Sequence, residues 1–186
     1  ETGNHTPISI MDSVNNHDDS VFYIEKHIAD DVRAAGRAAV KSFGVKSRFV
    51  HFEFFRLTED HDYLGKKGKI IGLEVNYRPS GGFTPDMINY ACSTDVYKDW
   101  ADMVAFDRLA KEEYPDKYYC VSAGCRKEKH YLHSYEEVMA AYKDDIMMTT
   151  ELPEVLASAM GDRLYLARFA EKEAMDAFIS YVFATA

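Results

Sequence analysis

The sequence predicts an α+β fold in which antiparallel strands alternate with short helices. Two runs rich in aromatic and β-branched residues, at about 47–57 and 68–78, have the alternation of strands. The short charged loop between them, residues 58–69, favours their pairing as antiparallel neighbours. Helical periodicity before and after this pair then adds helices to the sheet.

The first elements follow from local patterns. Residues 21–28 favour a strand or a structured turn. Asp30 or Asp31 is expected to cap a helix that ends at Gly44. The apolar positions of this helix fall at helical spacing: Val32, Ala35, Ala39, Val40 and Phe43.

Two further helices are predicted after the strand pair. The first begins at Thr84 and Pro85, since a hydroxyl at the N-cap and a proline in the first turn both favour a helix start. The second begins at Thr94 or Asp95. Its predicted core face carries Val96, Trp100, Met103 and Val104, and its predicted solvated face carries Lys98, Asp99 and Asp102.

A composition shift at residues 111–117 predicts a boundary between a domain at 1–110 and a small α+β lobe at 111–186. In this lobe Ser134 and Glu137 have the spacing of a capping box and predict a helix. The lobe's other predicted elements are strands at 118–124, 128–132, 145–151 and 163–169 and a closing helix from about Glu171. It contains no recognisable catalytic constellation.

Composition limits the classes of partner. The 186 residues carry a net charge of −9, which argues against nucleic acid, because phosphate backbones require a basic surface. No apolar run reaches membrane-spanning length, so no membrane partner is expected. Three cysteines without a framework spacing fit a reducing compartment, and we expect a cytoplasmic protein.

The polar residues of the two predicted strands form one constellation. Strand alternation places Glu74, Asn76 and Arg78 on one face of the second strand, and His51 and Glu53 on one face of the first. Carboxylate and amide oxygens suit a hard cation such as Mg²⁺. A guanidinium beside them can bind phosphate with two hydrogen bonds. The constellation predicts a metal–polyphosphate site.

The alternative is a polar sheet face whose charges pair with one another in solvent. Glu53, as a second acid from a separate strand, favours the site. So does the turn at Gly81 and Gly82, because glycine lets backbone N–H groups approach an anion closely. His51 is expected to orient a carboxylate, to act as a general acid or to be a half-buried structural histidine.

These residues carry a resemblance to a known family. The segments 52–55 (Phe-Glu-Phe-Phe) and 73–78 (Leu-Glu-Val-Asn-Tyr-Arg) resemble the metal-binding strands of the ATP-grasp superfamily. The longer segment 74–90 resembles ligases that are similar to the carbamoyl-phosphate synthase large chain. The resemblance implies an ATP-grasp C-terminal subdomain, an antiparallel sheet with helices, over 1–110, followed by the small lobe.

The resemblance also implies an activity. It indicates a ligase in which Glu53, Glu74 and Asn76 bind Mg²⁺ or Mn²⁺ against the phosphates of ATP. Arg78 would be catalytic and, with Gly81 and Gly82, would contact the nucleotide phosphates. The implied reaction joins a small carboxylate to an amine or ammonia through an acylphosphate. Biotin carboxylases carry a further acid where this chain has the two glycines, so bicarbonate chemistry is not implied.

The first half of an ATP-grasp domain has no counterpart upstream of Glu53, where a Gly-rich lid is expected. We therefore expect the chain to be the C-terminal part of a longer enzyme and to be inactive by itself. The alternative hypothesis is a non-catalytic fragment or subunit that binds a partner carrying the missing half. An exposed apolar face would mediate that contact or a homodimer.

One other motif has the residue types of a zinc site. Cys120, Cys125, His130 and His133 lie within fourteen positions, but the cysteine spacing is longer than structural zinc sites use. The two cysteines also have opposite parity in a strand, so their side chains are expected to face apart. Buried thiols and surface imidazoles are the favoured interpretation.

Overall fold

A computed structural model describes residues 2–6, 10–108 and 117–185 of the chain. Strands and helices alternate along most of this length, as the sequence predicts. In chain order the elements are β1 (Asn4–His5), α1 (Ile10–Asn15), β2 (Ser20–Ile24), α2 (Asp30–Ser42), β3 (His51–Arg56), β4 (Ile70–Asn76), α3 (Thr84–Cys92), α4 (Val96–Phe106), β5 (Tyr119–Cys125), α5 (Tyr135–Ala141), β6 (Ile146–Glu151), α6 (Glu154–Met160), β7 (Arg163–Phe169) and α7 (Lys172–Val182).

The described residues fall into two compact units. Of the described residues, the sheet unit comprises those within 1–26, 86–94 and 114–186, and the hairpin unit comprises those within 27–85 and 95–113. In the sheet unit, five antiparallel strands lie in the order β1-β2-β5-β7-β6. In the hairpin unit, β3 and β4 form a two-stranded antiparallel sheet.

The core of the sheet unit lies between the central strands and two helices. β5 and β7 are buried along most of their length, and Met175, Phe178 and Val182 of α7 pack against them. Val138 of α5 completes this cluster. Burying a side chain the size of Phe178 contributes roughly 1.5–3 kcal/mol, so the α7 contact is a large part of what holds the helix on the sheet.

The predicted division at residues 110 and 111 stays a prediction, because the boundary falls at 109–116, outside the described residues. The contacts of the chain cross that position, however. β2 pairs with β5 from Ser20 opposite Gly124 to Ile24 opposite Cys120. A strand from the first segment therefore belongs to the same sheet as strands of the last segment.

Several predicted elements are confirmed. The strand at 163–169 and the helix after Glu171 are found at the predicted positions. The capping box is present, since Ser134 accepts from the Glu137 amide and the Glu137 carboxylate accepts from the Ser134 amide. Asp95 caps α4 by accepting from the amides of Tyr97 and Lys98.

Two predictions about helix and strand positions are wrong. The N-cap of α2 is Ala29, because the Asp31 carboxylate is bonded to Arg56 and Asp30 and Asp31 lie in the first helical turn. Residues 128–132 form no strand. They are a turn in which the Tyr131 hydroxyl points inward to Asp19 and to the Arg126 amide.

The predicted faces of α4 are also wrong. Trp100, expected in the core, is 50% exposed, and Val104 is exposed as well. Asp99, expected on the solvated face, is only 6% exposed. The apolar residues of this helix therefore do not predict which of its faces is buried. Helix α6 was not predicted, since its exposed Val155 and Leu156 leave no amphipathic pattern.

Among the described residues, no helix is both long enough and apolar enough to cross a bilayer.

Substituting Gly124 by alanine is expected to destabilise the sheet unit. A Cβ on Gly124 would lie 1.8 Å from the carbonyl oxygen of Met160, so the end of α6 and strand β5 must separate. We expect Gly124→Ala to lower the free energy of unfolding by about 2 kcal/mol or more in urea titrations. Gly36→Ala is the matched control, because its Cβ meets nothing within 4 Å and alanine favours the α2 helix by about 1 kcal/mol. Equal effects of the two variants would contradict the close approach.

The free energy of unfolding is expected to fall at alkaline pH, where free thiols lose their protons. Burial raises the pKa of Cys125 to about 12 and raises that of Cys120 further. Thiols of the unfolded chain lose their protons near pH 8.5. Rising pH therefore stabilises the unfolded state, while the buried thiols of the folded state stay protonated. We expect the free energy of unfolding to decrease between about pH 8.5 and 12. The Cys120→Ala, Cys125→Ala double variant should show a shallower decrease, and an unchanged slope would contradict this cause.

Candidate functional site

The register of the β3–β4 hairpin brings four predicted site residues together. Glu53 is the direct partner of Glu74, and His51 is the direct partner of Asn76. Residues directly opposite in an antiparallel pair share one face of the sheet. The two carboxylates, the amide and the imidazole therefore lie side by side on one face of the hairpin.

Hydrogen bonds and burial define the arrangement further. The amide nitrogen of Asn76 donates to Oε1 of Glu74 at 2.8 Å, which leaves the amide oxygen of Asn76 for another partner. Nε2 of His51 lies 3.7 Å from Oε1 of Glu53, beyond hydrogen-bonding distance. The Glu53 side chain is 40% exposed and that of His51 25% exposed. The face is accessible and carries two negative charges.

His51 also has an unsatisfied nitrogen. Its Nδ1 is buried and has no hydrogen-bond partner in the described part of the chain. An unsatisfied buried polar atom costs about 1–3 kcal/mol, which structures retain mainly at functional sites or beside water. This atom and the facing carboxylates are the chemistry expected where a polar ligand or a cation completes a site.

A β-bulge follows the acidic pair. The register shifts between Glu53 and Phe54, so that Phe54 pairs with Gly72 and Leu73 has no partner. Bulges increase the local twist and redirect side chains, and they are frequent next to functional sites. Here the bulge involves Leu73, the residue immediately before Glu74 in β4, so it adjoins the acidic pair.

Two contacts join the hairpin to α2 and to Phe43, the C-cap residue that follows it. Arg56, at the end of β3, donates two hydrogen bonds to the Asp31 carboxylate, at 2.6 and 2.9 Å. These bonds hold the pKa of the Asp31 carboxyl below its usual range. Tyr77, just after β4, donates from its hydroxyl to the carbonyl of Phe43 at 3.0 Å. Sequence reasoning missed both anchors, because residues 25 and 34 positions apart carry no local signal of their contact.

The connection between the strands is itself ordered. Two backbone hydrogen bonds join His61 and Gly65, and Nδ1 of His61 accepts from the amides of Tyr63 and Leu64. Asp60 accepts from the amide of Lys67 at 2.9 Å. These bonds limit slippage of the register that places Glu53 opposite Glu74.

Arg78, Gly81 and Gly82 follow the strand but are not joined to the acidic pair. Nη1 of Arg78 donates to the carbonyl of Pro79 at 2.9 Å, so the guanidinium folds back on its own turn. Gly82 has a φ of +59°, a conformation that favours glycine. Both glycines are exposed, and their turn leads into α3, where the Thr84 amide donates to the Gly81 carbonyl.

Metal coordination is not preformed in the described residues, which contain no group of three or more His, Cys, Asp or Glu side chains placed to hold an ion. Among the cysteines and histidines of the zinc-like motif, Cys120 is buried in β5, and the ring of His133 stacks on Tyr181 at 3.6 Å. At the hairpin, an ion would have to draw Glu53 and Glu74 together and use the amide oxygen of Asn76.

Comparison with solved structures assigns the fold. The chain is similar to phosphoribosylglycinamide synthetase from Anaerococcus prevotii, an ATP-grasp ligase, with a TM-score of 0.55 and 15% sequence identity. The fold is ATP-grasp-like. The similarity covers 97% of this chain and 47% of that one, so the chain spans about half the length of the solved structure. The predicted α+β class, helices with antiparallel sheet, is confirmed.

The other comparisons gave no match. No protein-family profile matches the sequence. No curated protein matches it either. The likeness therefore supports the ATP-grasp fold predicted from the two strand motifs, and the finer resemblance to carbamoyl-phosphate synthase stays a prediction.

The acidic pair generates a prediction about divalent cations. Like charges directly opposite in a sheet destabilise it by roughly 0.2–1 kcal/mol, so Glu74→Gln should slightly raise the unfolding temperature without divalent ions. Adding Mg²⁺ should then stabilise the wild type more than the variant, since a ligand that binds the folded state raises its stability. Thermal unfolding with and without Mg²⁺ measures both effects.

Glu59→Gln is the matched control, because Glu59 is an exposed acid in the loop between the same two strands. It should respond to Mg²⁺ as the wild type does. Equal Mg²⁺ responses of the wild type and Glu74→Gln would contradict cation binding by the pair.

Proposed function

We propose that this chain is the metal- and phosphate-binding C-terminal part of an ATP-dependent ligase that joins a carboxylate to an amine or ammonia. The observation that carries the proposal is Glu53 directly opposite Glu74, with Asn76 and His51 on the same face, on an ATP-grasp-like fold. Because the chain spans half of the solved structure, the activity is proposed for the whole enzyme and this part alone is expected to be inactive.

The residues of the hairpin fit a divalent cation. Glu53 and Glu74 would hold Mg²⁺ or Mn²⁺ with their carboxylates, and Asn76 would add its amide oxygen. When bound, the cation supplies neutralisation of phosphate charge. His51 would donate a hydrogen bond to Glu53 after a small movement from 3.7 Å and so keep that carboxylate oriented.

Arg78 would bind the phosphoryl group that is transferred. Its guanidinium is exposed and bonded only to a carbonyl of its own turn in the described structure, so releasing it costs little. A guanidinium can then contact two phosphate oxygens at once. Gly81 and Gly82 would contribute backbone N–H groups to the nucleotide phosphates, since both residues are exposed and carry no side chain.

The proposed reaction has two steps. A substrate carboxylate oxygen attacks the γ-phosphorus of ATP, and the bond from that phosphorus to the bridging oxygen breaks. ADP departs, and the product on the substrate is an acylphosphate. The nitrogen of the amine or ammonia then attacks the acyl carbon, loses a proton and displaces phosphate. In both steps the chain's contribution is to orient the reactants and neutralise charge, which accounts for most of the rate in phosphoryl transfer.

The segment 74–90 supports a narrower proposal, a ligase similar to the carbamoyl-phosphate synthase large chain. Gly81 and Gly82 stand where biotin carboxylases have an additional acid, which favours a carboxylate–amine ligase over bicarbonate chemistry. The partners proposed for the enzyme are ATP, a small carboxylate and an amine or ammonia.

A second candidate is a non-catalytic subunit that binds a protein carrying the missing ATP-grasp half or a second copy of itself. Exposed large apolar side chains in the hairpin unit favour it: Leu73, Val75 and Tyr77 near β4, and Tyr97, Trp100 and Val104 on α4. The length of the parent reading frame separates the candidates. An upstream Gly-rich, lysine-containing half would favour the enzyme.

Titration calorimetry with ATP and Mg²⁺ tests the proposed site directly. We expect magnesium-dependent ATP binding to the wild-type chain and to Glu59→Gln, and a loss of at least about tenfold in affinity for Glu74→Gln, because a metal ligand is removed. In the full-length enzyme, Glu74→Gln should abolish ADP release. Binding that is independent of magnesium or unchanged in Glu74→Gln would overturn the metal role.

A further inference from the structure

A pocket of about 250 Å³ lies within the sheet unit, at the edge where β5 ends and β7 begins. Its floor is apolar and belongs to the core, with Val138, Tyr165 and Val182. Its walls are polar and include Arg126, Lys129 and the residues that bind them. Pockets that combine an apolar floor with a few convergent polar groups are typical of small-molecule sites.

Arg126 puts a buried positive charge beside this pocket, and the carboxylate that interacts with it, that of Asp162, makes no hydrogen bond to its guanidinium. It is only 4% exposed, and its guanidinium donates to three carbonyl oxygens, those of Asp18, Ala157 and Ser158, at 2.6 to 3.3 Å. No carboxylate hydrogen-bonds this guanidinium in the part of the chain that the structure describes. Buried charges are normally paired with an opposite charge, so this one favours an anion in the adjoining space.

A hydrogen-bonded chain fixes the wall of the pocket. The Arg126 amide donates to the Tyr131 hydroxyl at 2.8 Å, and that hydroxyl donates to Asp19 at 2.5 Å. The ammonium of Lys129 lies 3.1 Å from the other oxygen of Asp19. Lys129 is thus held in place with most of its side chain covered, so binding a ligand costs little side-chain entropy.

The charge around the pocket is opposite to that of the chain. Four cations line it, Arg126, Lys127, Lys129 and Arg163. Three acids face them, since Lys127 pairs with Asp162, Lys129 with Asp19 and Arg163 with Glu151. This leaves an excess of one positive charge in a protein whose net charge is −9. A local field of this sign attracts anions in a chain that otherwise repels them.

We propose that this pocket binds a small oxyanion, the phosphate or carboxylate group of a metabolite. The volume admits only a small ligand, and the cations on the wall supply charge-assisted hydrogen bonds. The proposal is independent of the acidic pair on the hairpin, since every residue that carries it lies in the sheet unit.

Titrations with inorganic phosphate and, separately, with acetate test the proposal at constant ionic strength and pH. Backbone amide shifts of residues 126–131 in ¹H–¹⁵N spectra and the unfolding temperature are followed. We expect saturable binding by at least one of the two anions and about tenfold weaker binding in Lys129→Gln, since a charge-assisted hydrogen bond is lost. Saturation by phosphate alone indicates a phosphate-bearing ligand, and saturation by acetate alone a carboxylate.

Lys143→Gln is the matched control, because Lys143 is an exposed lysine of the same unit outside the pocket lining. It should bind as the wild type does. Lys127→Gln, whose side chain is 74% exposed, serves if Lys129→Gln fails to fold, and it should weaken binding about threefold. The proposal would be overturned if the amide shifts with both anions matched those that chloride causes. Equal titrations of Lys129→Gln and Lys143→Gln would also overturn it.

Discussion

Two carboxylates held opposite each other across one hairpin are the constraint on which the hairpin unit depends. Glu53 and Glu74 repel in the absence of a cation, and β3 and β4 form only a two-stranded sheet. Such a hairpin is marginal by itself in water. Its register therefore requires support from outside the acidic pair, which comes from α2 through Arg56 and Tyr77 and from the ordered loop after Leu57.

The sheet unit is stabilised differently from the hairpin unit. Its central strands β5 and β7 are buried on a core of aromatic and aliphatic side chains, and stability there comes from burial and close packing. Gly124 and Gly161 allow the end of α6 to approach β5 more closely than a side chain would permit. The polar cluster of Asp19, Arg126 and Tyr131 closes the same end of the sheet, where apolar packing stops.

The chain is similar in fold to a phosphoribosylglycinamide synthetase at 15% sequence identity. At that identity the similarity concerns the fold and does not extend to the residues of a site. Strand alternation, helix caps and turn glycines are sufficient to specify the architecture with few identical residues. Chemistry depends on particular side chains, and a fold by itself does not transfer it. The ligase proposal accordingly rests on Glu53, Glu74 and Asn76, and the neighbour supplies only the framework.

The sequence alone determined the features whose causes are local. Parity within the strands placed Glu53 and Glu74 on faces that meet, the short loop made the strands neighbours, and the Ser134–Glu137 spacing located a helix start. Tertiary structure decided what depends on distant residues. In the structure Asp99 is buried and Trp100 is exposed. Asp31 binds Arg56 and does not cap its helix, and residues 128–132 form a loop whose Tyr131 hydroxyl bonds Asp19. Local patterns report periodicity and propensity, whereas burial and long-range pairing depend on which surface covers each face, and no local pattern carries that information.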